Sequence, residues 1–366
     1  MGSHTLINEL QTRGMRLVDP RQGQESRRGG AGPSDHKAVI IGDTTVMVPV
    51  HTAPAFESPY LVEAAGNDGS ARVSRNGETV STIRFPGRPR FYDLSTDDGI
   101  PYSHIATLHS KDVLATTILQ TCIRYESRKK TCKFCSIGQS LAAGRTIAHK
   151  TPEQLAEVAK AAVELDGITH MVMTTGTPPT SDRGASVLSD SARAIKAEVN
   201  IPIQGQCEPP DDDAWHQRMK DAGIDTLGMH LEAVTPEVRE QIMPGKASVP
   251  LEKYFQSFEA AVKVFGRGQV STYILAGLGD TPEAILEVSE KLCTAGVYPF
   301  VVPFVPISGT PLESHPSPTA EFMDRILMPL SRMVIAAGMR AENIKAGCGR
   351  CGACSALAAY EKLAKN

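Results

Sequence analysis

From about residue 111 to residue 315 the chain alternates short apolar runs with stretches of helical character, and no other feature limits its fold so strongly. The runs are VLATTILQ, THMVMTTG, IPIQGQ, TLGMHLE, QVSTYILAG and YPFVVPFVPI. Helix signals lie between most of them. Residues 151–166 open with Thr151 as an N-cap, Pro152 in the first turn and Glu153 beside it. Residues 211–223, 251–265 and 281–295 form stretches of similar length. Parallel strands need crossover connections, and helices supply them. Six β/α pairs therefore predict an α/β fold with a parallel sheet and helices outside it. Six units suit an open, partial (β/α)6 barrel better than a closed eight-stranded one.

The flanks read differently. Residues 37–108 carry AVIIGDTTVMVPV, ARVSRNG and STIRFPGRPRFYDL, separated by turn signals such as Asn67-Asp68-Gly69 and Asn76-Gly77. They predict a small β-rich N-terminal unit. Residues 1–36 are polar and rich in Gly and Arg, which predicts a partly flexible segment with a short helix over 6–14. The barrel is expected over 109–315. Residues 316–366 are expected to form a helix at 317–338, a Cys/Gly-rich loop and a last short helix.

The formal net charge is -3, too small to hold a nucleic-acid backbone or an anionic membrane, so neither is an expected partner. No apolar run approaches the ~20 residues that cross a bilayer. The first residues lack the apolar core of a secretory signal, so a reducing cytoplasmic location is expected. There, eight cysteines point to metal rather than disulfides. Three fall within Cys122–Cys135 and three within Cys348–Cys354, while Cys207 and Cys293 stand alone. Cys293 reads as a core residue.

Functional residues of such sheets sit at the carboxyl ends of the strands. Cys122 follows the first strand, Gly176 ends the second, Cys207 and Glu208 the third, Glu232 the fourth, and Gly277 and Gly279 the fifth. The first triplet runs Cys122-x9-Cys132-x2-Cys135, with the aromatic Phe134 before the last cysteine. Thiolates bind iron and zinc, and a Cys-x2-Cys pair lets two sulfurs grip one centre. Three thiolates on a [4Fe–4S] cube leave one iron free for an outside ligand. The competing reading is a zinc site closed by His149 or a distant cysteine. Asp211, Asp212 and Asp213 read as acids at a helix start. Glu208 and His230 face the expected cavity, and His51 and His104 are candidate covers for it.

The motifs MTTGT (173–177), GMHLE (228–232), AGLGDT (276–281) and ISGTPL (307–312), in this order with the first triplet, resemble the radical S-adenosylmethionine (SAM) superfamily. The biotin-synthase and lipoyl-synthase branch is the most similar. Over nearly the full length, RRGGAGPSDHKA, PVHTAPAFESPY, QTCIRYESRKKTC, IQGQCEPPDDDAW and AGCGRCGACS resemble a radical SAM family associated with bacterial nitrilase gene clusters. The commonest superfamily spacing is Cys-x3-Cys-x2-Cys, so the first loop here is longer.

The resemblance implies a [4Fe–4S] cluster on Cys122, Cys132 and Cys135 that chelates SAM. It places Thr175, Gly176 and Thr177 at the SAM amino group and Glu232 at the ribose hydroxyls. Lys246 or Arg239 would neutralise the SAM carboxylate, and the adenine would lie against Gly277 and Gly279. Biotin synthase holds a second cluster inside its barrel with cysteines from strands two, three and five. Here Cys207 matches the strand-three position, but Met173 or Thr174 and Ser271 stand at the others, so that inner sulfur-donating cluster is not expected.

The tail run Cys348-x2-Cys351-x2-Cys354 resembles the ligand run of bacterial ferredoxins and predicts an auxiliary [4Fe–4S] cluster, although zinc would also accept it. Cys207 is a candidate fourth ligand if the tail folds back over the barrel mouth. The expectation is a radical SAM enzyme acting on a small molecule, supplied with electrons by a flavodoxin or ferredoxin. The alternative is a noncatalytic iron–sulfur carrier or a zinc-stabilised protein.

Overall fold

A computed structural model describes residues 2–18, 35–63, 66, 68–125, 127 and 129–364. The Arg/Gly stretch expected to be flexible and the turn residue Asn67 lie outside the described residues. Two sheets organise the rest. The first has six strands in the order β1-β4-β5-β6-β2-β3. They are β1 (Arg16–Leu17), β2 (His36–Ile41), β3 (Thr44–Pro49), β4 (Tyr60–Val62), β5 (Ser70–Arg75) and β6 (Glu78–Arg84). Its ladders are antiparallel except β1 with β4, and this is the β-rich N-terminal unit.

The second sheet holds seven strands whose order follows the chain. They are β7 (Thr107–His109), β8 (Val113–Thr117), β9 (His170–Thr174), β10 (Ile203–Gln206), β11 (Thr226–Gly228), β12 (Val270–Ala276) and β13 (Val297–Pro303). β8 to β13 pair in parallel, giving the curled partial barrel of six β/α units. β7 adds an antiparallel edge beside β8 and straddles the expected boundary at residue 108.

The crossover helices follow their sequence signals. Pro152–Asp166 starts with a full capping box, in which Thr151 and Gln154 bond each other's backbone, worth about 1 kcal/mol. Leu251–Phe265 and Pro282–Ala295 occupy the expected stretches, and Thr281 caps the second. Helix Ala185–Glu198, between β9 and β10, carries small residues on its buried face: Ala185, Ser189, Ser191 and Ala192. Leu188 and Ile195 complete that face.

The short helix expected over 6–14 is present and starts three residues earlier. Ser3–Arg13 is a helix whose residues Leu6 to Thr12 are buried. Asn8 donates to Ala320 O at 2.9 Å and to Asp324 at 3.0 Å, and Gln11 donates to Ala353 O at 3.0 Å. This helix and β3, through Met47 N to Ala353 O at 2.7 Å, clasp the tail loop that carries the second cysteine triplet.

Candidate active site at the two ends of the barrel

The first triplet sits where β8 to β11 end. The loop leaving β8 is stitched to the loop leaving β9: Gly176 N donates to Leu119 O at 2.9 Å and Ile123 N to Thr177 O at 2.9 Å. A Cβ on Gly176 would lie 2.0 Å from Thr121 O, so glycine there admits the Cys122 loop. The long loop between Cys122 and Cys132 is pinned from the other side. Lys133 N donates to Ile242 O at 2.9 Å and Gly245 N to Lys130 O at 3.1 Å.

Cys122, Cys132 and Cys135 line one cavity of about 250 Å³, together with Thr175, Gly176 and Thr177. Thr177 N donates to Cys122 Sγ at 3.3 Å. Burial pushes the Cys135 thiol up to about 12, with Cys122 and Glu232 adding to the rise. Burial first, and then Glu232, also pushes the Cys132 thiol well above its ordinary value. Three neighbouring thiolates repel each other, and a cationic centre removes that cost, so the donor set fits an iron–sulfur cluster. Among the described residues, no three His, Cys, Asp or Glu side chains close around a single ion.

Two ion pairs complete this cavity. Lys246 Nζ lies 2.7 Å from Glu232 Oε2. Burial alone would lower Lys246, but Glu232, with Tyr254 and Glu208, outweighs it and holds the ammonium above its usual range. Glu232 has φ 64°, a left-handed conformation that costs a non-glycine residue about 1–3 kcal/mol. Its backbone is held by Tyr273 O at 2.9 Å and Leu275 N at 2.8 Å, which turns the carboxylate into the cavity. Glu208 accepts from Arg124 at 3.0 Å and Thr177 at 2.9 Å. Burial would raise its carboxyl, yet Lys246 and Arg124 hold it below the usual range.

The second triplet enters from the opposite end. Its approach residues rest on positions where the strands begin. Gly347 N donates to His170 Nδ1 at 3.3 Å, Cys348 N to Gln204 Oε1 at 3.2 Å, and Thr226 Oγ1 to Ala346 O at 3.0 Å. A Cβ on Gly347 (φ 102°) would meet the Gln204 amide at 2.1 Å. Beyond the triplet, Ser355 Oγ donates to Val301 O at 2.5 Å. The tail therefore plugs the amino-terminal end of the barrel rather than folding back over its mouth.

Cys348, Cys351 and Cys354 line a second cavity of about 300 Å³ with His36, His109 and Tyr273. Phe134, Thr174, Gln206, His230 and Glu232 line both cavities, so the two triplets look into one barrel from opposite ends. His230 Nδ1 accepts from Tyr273 N at 3.2 Å, which leaves its proton on Nε2. Burial, with Lys246 adding, holds His230 down at about 3, so the ring is neutral.

Several expectations change. Cys207 lines the first triplet's cavity, where burial pushes its thiol up to about 12, and it does not line the tail's. It is not placed to join Cys348, Cys351 and Cys354. Arg239 is buried, but its guanidinium donates to Leu231 O at 2.9 Å and Val249 O at 3.1 Å and lies 5.2 Å from the Tyr254 ring centre. It organises backbone and does not reach the cavity. Gly277 and Gly279 line neither cavity; their left-handed backbones (φ 105° and 132°) pack against Pro318 and Val238. The partner in that motif is Asp280, which accepts from Val234 N at 2.8 Å and Thr235 N at 3.0 Å. His51 and His104 line neither cavity, whereas His36 and His109 do. Tyr273, Gln206, His109 and Arg124 went unrecognised. Gln204 and Gln206 alternate in a strand of fully buried residues, which was a readable sign of an inward polar face.

Residues 128–292 match the radical SAM superfamily. The bacteriochlorophyllide c C-7(1)-hydroxylase of Chlorobaculum limnaeum is 28% identical over 213 residues, covering 53% of this chain and 53% of the hydroxylase. The chain thus spans about half that relative's length. The lipoyl synthase of Ectopseudomonas mendocina is 28% identical over 278 residues, covering 70% of this chain and 75% of the synthase. A probable dual-specificity RNA methyltransferase of Moorella thermoacetica is 26% identical over 125 residues, covering 34% of this chain and 35% of the methyltransferase.

Proposed function

Since residues 128–292 of this chain are a radical SAM domain, we propose that it cleaves SAM reductively and takes hydrogen from a small molecule held between two iron–sulfur clusters. Cys122, Cys132 and Cys135 would hold the cluster that binds SAM, and Cys348, Cys351 and Cys354 an auxiliary one. When bound, the first cluster and SAM supply a 5′-deoxyadenosyl radical able to attack an unactivated C–H bond. The observation that carries the reading is the shared wall: five side chains line both the cavity of the first triplet and that of the second.

The chain's own groups support each part. Thr175 to Thr177 line the upper cavity beside Cys122, where the SAM amino group would bind. Lys246 is the cation on hand for the SAM carboxylate, and Glu232 holds it in place while offering its other oxygen to hydroxyls. Phe134 packs with Ile242, Leu278 and Phe304, which seals the cavity side against water. Neutral His230 presents an N–H, so it orients a substrate acceptor and does not remove a proton.

The lower cavity suits a small molecule, and its buried polar groups suit one with few charges. The resemblance to the family linked with nitrilase gene clusters favours a place in nitrile- or cyanide-related metabolism. A flavodoxin- or ferredoxin-type protein is the one-electron donor. The test is anaerobic reconstitution with iron and sulfide followed by dithionite and SAM. Formation of 5′-deoxyadenosine is expected, and its absence from a fully loaded protein refutes the reading.

A further inference from the structure

The tail sulfurs differ from the first triplet in what surrounds them. Gln206 Nε2 donates to Cys348 Sγ at 3.2 Å. The Ser110 hydroxyl hydrogen-bonds Cys351, and the Tyr273 hydroxyl hydrogen-bonds Cys354. His109 Nε2 lies 3.6 Å from Cys354 Sγ. Every tail thiol thus has a side-chain donor aimed at it. At the first triplet, Cys122 and Cys135 take backbone N–H groups, from Thr177 and Ile137. The nearby cations there are each matched by a carboxylate: Lys246 by Glu232 and Arg124 by Glu208.

Hydrogen bonds to cluster sulfurs stabilise the reduced, more negative state and raise the reduction potential. The effect is larger away from bulk water. All six thiols are half-buried, and what sets the two sites apart is the donors around them.

We propose that the tail cluster is the electron acceptor of the reaction, so that the substrate leaves two electrons more oxidised than it arrived. The inference rests on the two-cluster reading above and assigns its reaction class, a dehydrogenation. A substrate C–H bond breaks, and its hydrogen joins the 5′ carbon of the deoxyadenosyl radical. The unpaired electron left on the substrate passes to the oxidised tail cluster. A proton on the neighbouring carbon or heteroatom leaves to water, and a double bond forms. SAM cleavage takes one electron from a ferredoxin- or flavodoxin-type donor at the first cluster. The tail cluster returns one to an oxidised carrier of the same class, so the electrons balance. Tyr273 packs at a tilt between His230, 5.6 Å away by ring centres, and Phe300, at 5.5 Å, and it lines the tail cavity with Cys354.

The test is a mediated redox titration of the full chain, reconstituted anaerobically and followed by electron paramagnetic resonance, after iron and sulfide analysis has counted the clusters. Variants C122A/C132A/C135A and C348A/C351A/C354A assign each signal. The tail cluster is expected to take up its electron at a more positive potential than the first. In the otherwise intact chain, Ser110→Ala and Tyr273→Phe should each shift the tail midpoint to more negative potential and leave the first cluster's midpoint in place. A tail cluster reduced at or below the potential of the first overturns the proposal, as does a tail midpoint indifferent to both substitutions. A chain that binds one cluster only removes the two-cluster reading itself.

Discussion

The side-chain nitrogen of Gln206 lies 3.2 Å from the sulfur of Cys348, across 142 positions of sequence. Gln206 also lines the cavity of the first triplet. One amide at the end of β10 thus touches both halves of the site. It explains why the tail, remote in sequence, belongs to the same chemistry as the loop after β8.

The two triplets should separate by function. Replacing Cys122, Cys132 and Cys135 with Ala should remove 5′-deoxyadenosine formation and about half of the bound iron. Replacing Cys348, Cys351 and Cys354 should remove the other half and spare SAM cleavage without substrate. Chromatographic nucleoside assay with iron analysis reads both outcomes. Cleavage that survives the first set contradicts the assignment.

Two glycines should load the two sites independently. Gly176→Ala sets a methyl group 2.0 Å from Thr121 O and should displace the Cys122 loop, lowering iron at the first site only. Gly347→Ala sets one 2.1 Å from the Gln204 amide and should lower iron at the tail only. Mössbauer spectra of each variant distinguish the sites.

Arg239 and Lys246 should part company. Arg239→Met leaves the buried Val249 carbonyl without its donor and the Leu231 carbonyl with only Ala233 N, and should cost on the order of 1–3 kcal/mol, with SAM affinity of the folded protein unchanged. Lys246→Met strands Glu232 beside the cavity and should weaken SAM binding at least about tenfold, or roughly 1.4 kcal/mol. Urea unfolding and equilibrium dialysis measure the two effects. Equal loss of SAM affinity in both variants speaks against the separation.

Lys150 should make stability depend on pH. Its Nζ is buried and donates to Thr117 O at 2.5 Å, and burial pulls its pKa from 10.5 down to about 7. Below pH 7 both folded and unfolded chains carry the charge, and the fold bears the full cost. Between about 7 and 10.5 the unfolded chain binds the extra proton, so stability rises with pH, by about 1.4 kcal/mol per unit. Relative to Lys150→Met, the wild-type unfolding midpoint should climb across that window and level off above it. A parallel pair of curves contradicts the shift.

Much of the barrel was legible because its signals are local. Thr151 with Pro152, and Thr281 with Pro282, mark helix starts in any context, and the apolar runs mark buried parallel strands. The cysteine spacing likewise showed which sulfurs act together. What escaped was long-range. Nothing near Cys348 says which end of the barrel it enters; that depends on Gly347 fitting against Gln204 and on Asn8 and Gln11 clasping the tail. Arg239 looked like a surface or cofactor residue because its backbone partners come from the turns around it. Gly277 looked like a cofactor seat because a left-handed glycine reads the same whether a ligand or Pro318 lies against it.

The most direct measurement is Mössbauer spectroscopy of the full chain reconstituted anaerobically with iron-57, before and after adding SAM. Two sulfur-ligated cubes at opposite ends of one barrel should give about eight irons per chain, four in each cluster, with SAM altering the spectrum of one and leaving the tail's unchanged. A chain that stops at about four irons, or whose tail holds zinc without sulfide, contradicts the account.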